Sequence, residues 1–158
     1  MRVVAFSDSH GSFDALCRVV ESQPGAELFL HLGDGENDVD GLRDLYPQKR
    51  ILFVRGNCDW ASTAKAEGLI TVAGKRIFFT HGHAYSVKHG LDELVAKAHS
   101  LGADIVCFGH THYPLSARTG KLYLVNPGSI GGPRTGTPPS YATIDIAHDG
   151  IAVNIIEL

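Results

Sequence analysis

The sequence has few cysteines, no long apolar run and no excess of charge, and each absence excludes a class of protein. Its three cysteines stand far apart among 158 residues and form no CxxC pair, so we expect no disulfide framework. No apolar run approaches the length that crosses a membrane, and no signal-peptide pattern is recognisable. We therefore expect a cytoplasmic protein that does not bind membranes.

The charge balance argues against stable nucleic-acid binding. Lysine and arginine number 14 against 17 acidic residues, and the formal net charge is −3. No run of like charge forms a basic arm or an acidic tail. Binding of nucleic acid through a general electrostatic surface is not supported, whereas a ligand of nucleotide size remains open.

Histidine and glycine are the residues that stand out. The chain has 9 histidines and 18 glycines, a combination that indicates metal chemistry with sharp turns close to it. An apolar content of 44% and a charged content of 20% are ordinary for a globular protein. The length favours one domain.

The hydrophobic pattern predicts a βαβαβ first half and a second half made mostly of hairpins. The predicted strands cover residues 3–6, 28–32, 51–54, 69–72, 76–80, 105–108, 122–125, 141–146 and 151–156. Helices are predicted over 13–20, with Ser12 or Asp14 as its cap, over 39–45 and over 91–101. Asp149-Gly150 has the signature of a two-residue hairpin. The expected class is α/β, a mixed sandwich of two sheets.

Five polar clusters each follow a predicted strand. They are Asp8-Ser9-His10, Gly33-Asp34, Gly56-Asn57, Thr80-His81-Gly82-His83 and Gly109-His110-Thr111-His112. One such cluster arises easily by chance, but five at strand ends predict one shared site. Imidazole, carboxylate and amide ligands suit zinc, manganese, iron or nickel.

The ordered set D-x-H, GD, GNCD, H and GHxH resembles the signature of the calcineurin-like metallophosphoesterases, and within them the small bacterial and archaeal phosphodiesterase branch. The match runs from Asp8 to His112, and the later strands fit in order. The resemblance implies a four-layer α/β-β/α sandwich of two mixed sheets, in a single metallophosphoesterase domain over residues 1–158.

The resemblance also implies two divalent transition-metal ions, manganese first, with nickel, zinc, iron or magnesium as alternatives. One ion would be held by Asp8, His10 and His112, the other by Asn57, His81 and His110, with Asp34 bridging both. The positive charge of two divalent ions exceeds the negative charge of two carboxylates and a bridging hydroxide. The site therefore keeps a net positive charge, which attracts a phosphodiester.

The expected catalytic residues are Asn57, Cys58 and His83. Many family members carry histidine where this chain has Cys58, and a thiol is a weaker proton donor than an imidazolium. Cys58 is either a small residue in a crowded turn or the reason why good leaving groups are favoured. His83 is either a turn residue or a functional residue, which would support the metal ligands from behind or contact the scissile phosphate. Asp59 is a candidate for orienting a neighbour of the metal ligands.

Several other residues are open to two interpretations. His31 is expected to be a core histidine, and His89, His99 and His148 to be solvated. The segment 126–134 is either a plain loop or a backbone nest for phosphate with Arg134 at its edge. Trp60 either stacks on a base or packs.

The leading functional hypothesis is a metal-dependent phosphodiesterase acting on small phosphodiesters at an open site. The alternatives are a phosphomonoesterase or nucleotidase, and a non-catalytic scaffold like the retromer subunit that resembles this branch. Relatives suggest a homodimer or a homotetramer.

Overall fold

The structure, a computed structural model, describes residues 1–148 and 150–158. The strands are β1 (Arg2–Phe6), β2 (Leu28–His31), β3 (Arg50–Phe53), β4 (Glu67–Val72), β5 (Lys75–Thr80), β6 (Ile105–Cys107), β7 (Pro114–Thr119), β8 (Leu122–Pro127), β9 (Ser140–Ala147) and β10 (Gly150–Glu157). The helices are α1 (Phe13–Ser22), α2 (Glu36–Leu45) and α3 (Asp92–Ser100), with a 3-10 turn at His83–Tyr85. None of the described helices is long and apolar enough to cross a membrane.

Two five-stranded mixed sheets form the centre of the molecule, in the orders β10-β9-β1-β2-β3 and β4-β5-β6-β8-β7. β1, β2 and β3 are parallel, as are β5, β6 and β8, and the other strands, β4, β7, β9 and β10, pair antiparallel with their neighbours. Helices α1 and α2 cover the first sheet, and α3 covers the second. The predicted four-layer sandwich of two mixed sheets is confirmed.

Alternating side chains explain why the layers stack. On β1, Val3 and Ala5 belong to the cluster between the two sheets, whereas Val4 and Phe6 pack towards α1 and α2. Phe78 of β5 belongs to the cluster that includes α3. β1 is therefore buried on both faces, which explains its unbroken apolar run.

Most elements lie within one or two residues of their predicted bounds, but three features differ from the prediction. Helix α2 begins at Glu36 rather than at residue 39, because its first turn is polar and lies outside the apolar spacing. The hydrophobic pattern did not predict the bounds of strand β7, Pro114–Thr119. Ser12 precedes α1 but makes no side-chain capping bond. The β4–β5 hairpin is confirmed; in the predicted turn between β9 and β10, Asp149 lies outside the described residues.

The parallel strands bring their following loops to one edge of the sandwich. The backbone N–H of Asp8 donates to the carbonyl of Gly33 at 3.0 Å, which joins the loops after β1 and β2. The N–H of Gly109 donates to the carbonyl of His81 at 3.0 Å, which joins those after β5 and β6. The N–H of His110 donates to Asp8 Oδ2 at 3.1 Å and so connects the two sheets.

Candidate metal centre

The seven predicted metal ligands all lie at this edge, and the first group of three contains Asp8, His10 and His112. His112 Nε2 lies 3.0 Å from Asp8 Oδ1, and His10 Nε2 lies 3.9 Å from the same oxygen. Ligand atoms about 2.1 Å from one ion lie about 3–4 Å from each other. The three donor atoms therefore have the spacing of ligands to one ion.

The second group of three is centred on His81. Its Nε2 lies 3.1 Å from Asn57 Oδ1 and 3.2 Å from His110 Nδ1. Burial, with His81 beside it, lowers the pKa of His110 to about 4, so this ring is neutral near pH 7 and its lone pair is free to bind. Two imidazole nitrogens and an amide oxygen thus converge, as at a transition-metal site.

Asp34 lies between the two groups. Its Oδ2 is 4.0 Å from His10 Nε2 on one side and 3.5 Å from His81 Nε2 on the other. Its Oδ1 accepts a hydrogen bond from the N–H of Cys58 at 2.7 Å. One oxygen is therefore held by the protein, and the other faces both groups.

The carboxylate of Asp8 is oriented in the same way. Oδ2 accepts hydrogen bonds from Ser7 Oγ at 2.6 Å and from the N–H of His110 at 3.1 Å. Oδ1 is buried and has no hydrogen-bond partner among the described residues, although His112 Nε2 lies 3.0 Å away. Burial alone would raise the pKa of Asp8, but His112, His81 and Ser7 outweigh it and lower the pKa to about 2. A buried, ionised and unpaired oxygen fits a bound cation.

Two of the histidines have one ring nitrogen held by a backbone carbonyl. His81 Nδ1 lies 2.7 Å from the carbonyl oxygen of Leu32, and His112 Nδ1 contacts that of Gly132. A carbonyl accepts only from a protonated nitrogen, so the other nitrogen, Nε2, is left to bind a metal. Asp8 raises the pKa of His112, and a divalent ion would replace the proton that Asp8 favours there.

Backbone strain is concentrated in these loops. Positive φ angles occur at Asp8 (54°), His10 (46°), Asp34 (59°), His110 (66°) and His112 (62°). Asp and His enter this left-handed region more readily than most residues, but each instance still costs on the order of 1–3 kcal/mol. The fold therefore holds five of the seven candidate ligands in conformations that the free chain avoids.

Two glycines are required by close approach. A Cβ at Gly56 would lie 2.0 Å from Asp34 Oδ1, and one at Gly109 would lie 2.0 Å from Ser7 Oγ. Both glycines precede candidate ligands. The expectation that glycines lie close to the metal site is consistent with this packing.

Asp59 connects two of the ligand loops. Its Oδ2 accepts hydrogen bonds from the N–H groups of Asp34 (2.8 Å) and Gly56 (2.7 Å), and its Oδ1 from those of Gly35 and Glu36 (3.0 Å each). Burial would raise the pKa of Asp59, but the four N–H groups together lower it. Sequence reasoning identified Asp59 as an orienting residue but not these partners.

A buried network supports the loop after β1. The N–H of Gly33 donates to His31 Nδ1 at 3.2 Å, which leaves the proton on Nε2, 3.0 Å from Ser9 Oγ. Ser9 Oγ in turn donates to Asp38 Oδ2 at 2.5 Å, which also accepts from the N–H of Gly11. The prediction that His31 is a satisfied core histidine is confirmed. Sequence reasoning missed Ser9 and Asp38, since neither lies in a ligand position.

The other two predicted catalytic residues border the ligands. Cys58 is exposed, and its thiol lies with His10 and Asp34 in a cluster whose donor atoms are within 4.8 Å of one another. Although the residue is exposed, partial desolvation of its thiol, with Asp34 beside it, raises the pKa of Cys58 to about 11, so the thiol stays protonated. The ring centroid of His83 is 5.4 Å from that of His81.

The phosphate-nest interpretation of residues 126–134 is wrong. The N–H groups of Ile130 and Gly131 donate to the carbonyls of Ser7 and Asp8, and the N–H of Gly132 donates to Ser129 Oγ. These donors are therefore not available to a phosphate. The segment instead clamps the loop that carries Asp8.

Exposure tests the prediction that three further histidines are solvated. His89, His99 and His148 are exposed, as expected. Cys107 is buried and Cys17 partly buried. None of the five belongs to the candidate metal centre.

Comparison with known proteins agrees with this arrangement. Residues 1–149 match the model of the calcineurin-like phosphoesterase superfamily domain. The chain is 36% identical to the probable metallophosphoesterase YsnB of Bacillus subtilis (99% of this chain, 91% of YsnB) and 32% identical to the phosphodiesterase YfcE of Escherichia coli (92% and 88%).

Solved structures share the fold. A conserved protein of Streptococcus pneumoniae TIGR4 superposes with a TM-score of 0.87 at 28% identity, over 99% of this chain and 88% of that one. Vps29 of Chaetomium thermophilum superposes with a TM-score of 0.77 at 22% identity, over 99% and 95%, which shows the fold alone. The chain belongs to the calcineurin-like phosphoesterase superfamily and is a phosphoric ester hydrolase.

Proposed function

We propose that this protein is a phosphodiesterase that hydrolyses small phosphodiesters with two divalent ions, in a single domain over residues 1–158. One ion is assigned to Asp8, His10 and His112, the other to Asn57, His81 and His110, and Asp34 is assigned to both. Manganese is the first candidate metal. A cytoplasmic location and a homodimeric or homotetrameric assembly belong to the same proposal.

The observation that carries the proposal is the unpaired Asp8 Oδ1. An ionised oxygen that is buried without a donor costs several kcal/mol unless a cation compensates it. Asp34 Oδ2 supports a second ion, because it faces one nitrogen from each group of ligands. The free oxygens of Asp8 and Asp34 are therefore placed as a site for two ions requires.

Bound divalent ions would supply Lewis acidity to the phosphoryl oxygens and lower the pKa of a coordinated water. The protein contributes charge and position. Asp8 and Asp34 offset only two of the four positive charges, so the centre attracts an anionic diester. Strained loops and carbonyl-held imidazoles keep the ligand atoms in place before substrate arrives.

Protonation of the leaving group is the weak point of this site. Cys58 stands where many family members have histidine, and its neutral thiol is a poor donor. His83 lies beside His81 rather than in the position of that missing histidine. We therefore propose a preference for diesters whose leaving group needs little protonation.

The test uses metal-stripped protein with manganese, nickel, zinc or magnesium added back. We expect metal-dependent hydrolysis of bis(p-nitrophenyl) phosphate, faster than that of p-nitrophenyl phosphate. Asp34→Asn should abolish it, whereas Asp40→Asn, at an exposed aspartate paired with Arg43, should not. Retained turnover in Asp34→Asn would rule out the two-ion assignment.

The same assay separates the alternatives. Preference for the monoester would indicate a phosphomonoesterase or nucleotidase. Absence of hydrolysis with every metal would favour a scaffold, which the shared fold with Vps29 makes the second candidate. The ligand set argues against the scaffold, because this chain has a metal-binding residue at every ligand position expected from the family motif.

A further inference from the structure

Trp60 is the most exposed large hydrophobic side chain of the described residues, at 90% relative exposure. It follows Asn57, Cys58 and Asp59 directly, so the indole stands beside the candidate metal centre. The loop beneath it is held by the four N–H bonds to Asp59 and by the N–H of Ser62, which donates to the carbonyl of Asp59. An aromatic ring presented to solvent on a braced loop contributes nothing to the core.

Trp60 lines two clefts. One, of about 400 Å³, is lined by His10, Asp34 and Cys58 together with Glu36 and Asp38. The other, of about 340 Å³, is lined by Arg55, Gly56, Asn57, Asp59, Trp60 and His83. Both clefts therefore open onto residues of the candidate metal centre, but only the second contains a cationic side chain.

Arg55 is exposed, and among residues 1–148 and 150–158 its guanidinium has no ion-pair or hydrogen-bond partner. A guanidinium donates hydrogen bonds in one plane and so selects ligands with acceptor atoms. The second cleft thus offers an aromatic face and a free planar donor next to the site of hydrolysis. A nucleobase has both complements, an aromatic ring and ring or carbonyl acceptors.

We propose that Trp60 and Arg55 form a nucleobase subsite, so that the substrates are nucleoside phosphodiesters. The nucleobase subsite rests on the proposed phosphodiesterase function. The ring of one ester arm stacks on the indole while a base acceptor faces Arg55, and the phosphodiester lies over the metal ligands. Stacking on an aromatic side chain changes affinity by roughly 5- to 150-fold when the ring is removed.

Because the chain has a single tryptophan, its fluorescence reports on this subsite alone. Titration of the manganese-loaded protein with AMP should quench the emission excited at 295 nm, and ribose 5-phosphate, which has the same phosphate but no base, should not. Arg55→Gln should weaken AMP binding several-fold. Equal responses to both ligands, or no quenching, would overturn the proposal.

Turnover gives an independent measurement. The ratio of kcat/KM for thymidine 5′-(p-nitrophenyl phosphate) to that for methyl p-nitrophenyl phosphate, which share a leaving group, should fall about tenfold in Trp60→Ala and much less in Trp60→Phe. Tyr113→Ala, which removes another exposed aromatic ring, is the matched control. An unchanged ratio in Trp60→Ala would refute the subsite while leaving the proposed function intact. Failure to hydrolyse either ester would refute the proposed function, and AMP quenching would still decide the subsite.

Discussion

Replacing Asp59 by asparagine should destabilise the protein far more than the loss of one surface charge. Each carboxylate oxygen accepts two backbone N–H groups, those of Asp34 and Gly56 at one oxygen and those of Gly35 and Glu36 at the other. An asparagine side chain has one oxygen. In either orientation its NH₂ group therefore faces two N–H donors, and two of the four hydrogen bonds are lost.

The magnitude follows from the number of bonds. A hydrogen bond to a charged group contributes about 1.5–3 kcal/mol, so two lost bonds amount to about 3–6 kcal/mol. Asp59 is partly exposed, and water offsets some of this loss, which leaves about 2–4 kcal/mol. The loss also frees the loop of Asp34, so metal affinity should fall by roughly 10- to 100-fold.

Urea unfolding of metal-free protein measures the free energy, and calorimetric titration with Mn²⁺ measures the affinity. The control is Asp145→Asn, which removes an exposed carboxylate paired with Arg2 and should cost at most about 1 kcal/mol. The low pKa of folded Asp59 adds a pH signature. Its contribution is complete above the ordinary aspartate pKa of about 3.9 and disappears as the pH falls through the folded pKa. An Asp59→Asn variant as stable as the control would refute this reasoning.

Three further predictions concern the site and its support. Gly56→Ala places a Cβ 2.0 Å from Asp34 Oδ1 and should weaken Mn²⁺ binding, measured by calorimetry, whereas Gly25→Ala, with nothing within 4 Å, should not; equal affinities would contradict this. Cys58→His should raise kcat/KM for diesters with poor leaving groups more than for p-nitrophenyl esters; a loss for both would show that the histidine role does not transfer. Burial lowers the pKa of His31 to about 4, so wild-type stability should decrease by about 2–3 kcal/mol as the pH falls from about 6.5 towards 4. Urea unfolding of His31→Gln should show a free energy of unfolding that depends less on pH than that of the wild type. Parallel curves for the two proteins would contradict the role assigned to His31.

The fold could be predicted largely because its apolar runs are short and sharply bounded. The unbroken run of β1 indicated a strand buried on both faces, and Val3 and Phe6 do face opposite layers. The start of α2 could not be predicted, since its polar first turn is stabilised by the N–H bonds of Gly35 and Glu36 to Asp59, which lies 24 and 23 residues further along the chain. The sequence pattern does not contain such contacts between distant segments.

The same distinction applies to the interpretations that the pattern left open. The sequence of residues 126–134 is equally compatible with a backbone nest for phosphate and with a plain loop, because both can be glycine-rich. The structure decides against the nest, since the N–H groups of Ile130 and Gly131 already donate to the carbonyls of Ser7 and Asp8, and Asn126 and Pro127 end strand β8. For Trp60, which was predicted either to stack on a base or to pack, the exposure of the side chain excludes packing into the core. Exposure depends on what the rest of the chain covers, which the sequence pattern does not contain.

The sequence by itself determined which side chains meet at the site and in which order, because chemical type and position at strand ends are local properties. It indicated the seven candidate ligands and the family to which the chain belongs. Only the tertiary structure decided which atom of each ligand faces the centre. Asp8 presents Oδ1 because Ser7 and His110 hold its other oxygen, and Asp34 presents Oδ2 because the N–H of Cys58 holds Oδ1. His110 and Cys58 belong to loops distant in sequence, so these orientations exist only once both sheets have formed.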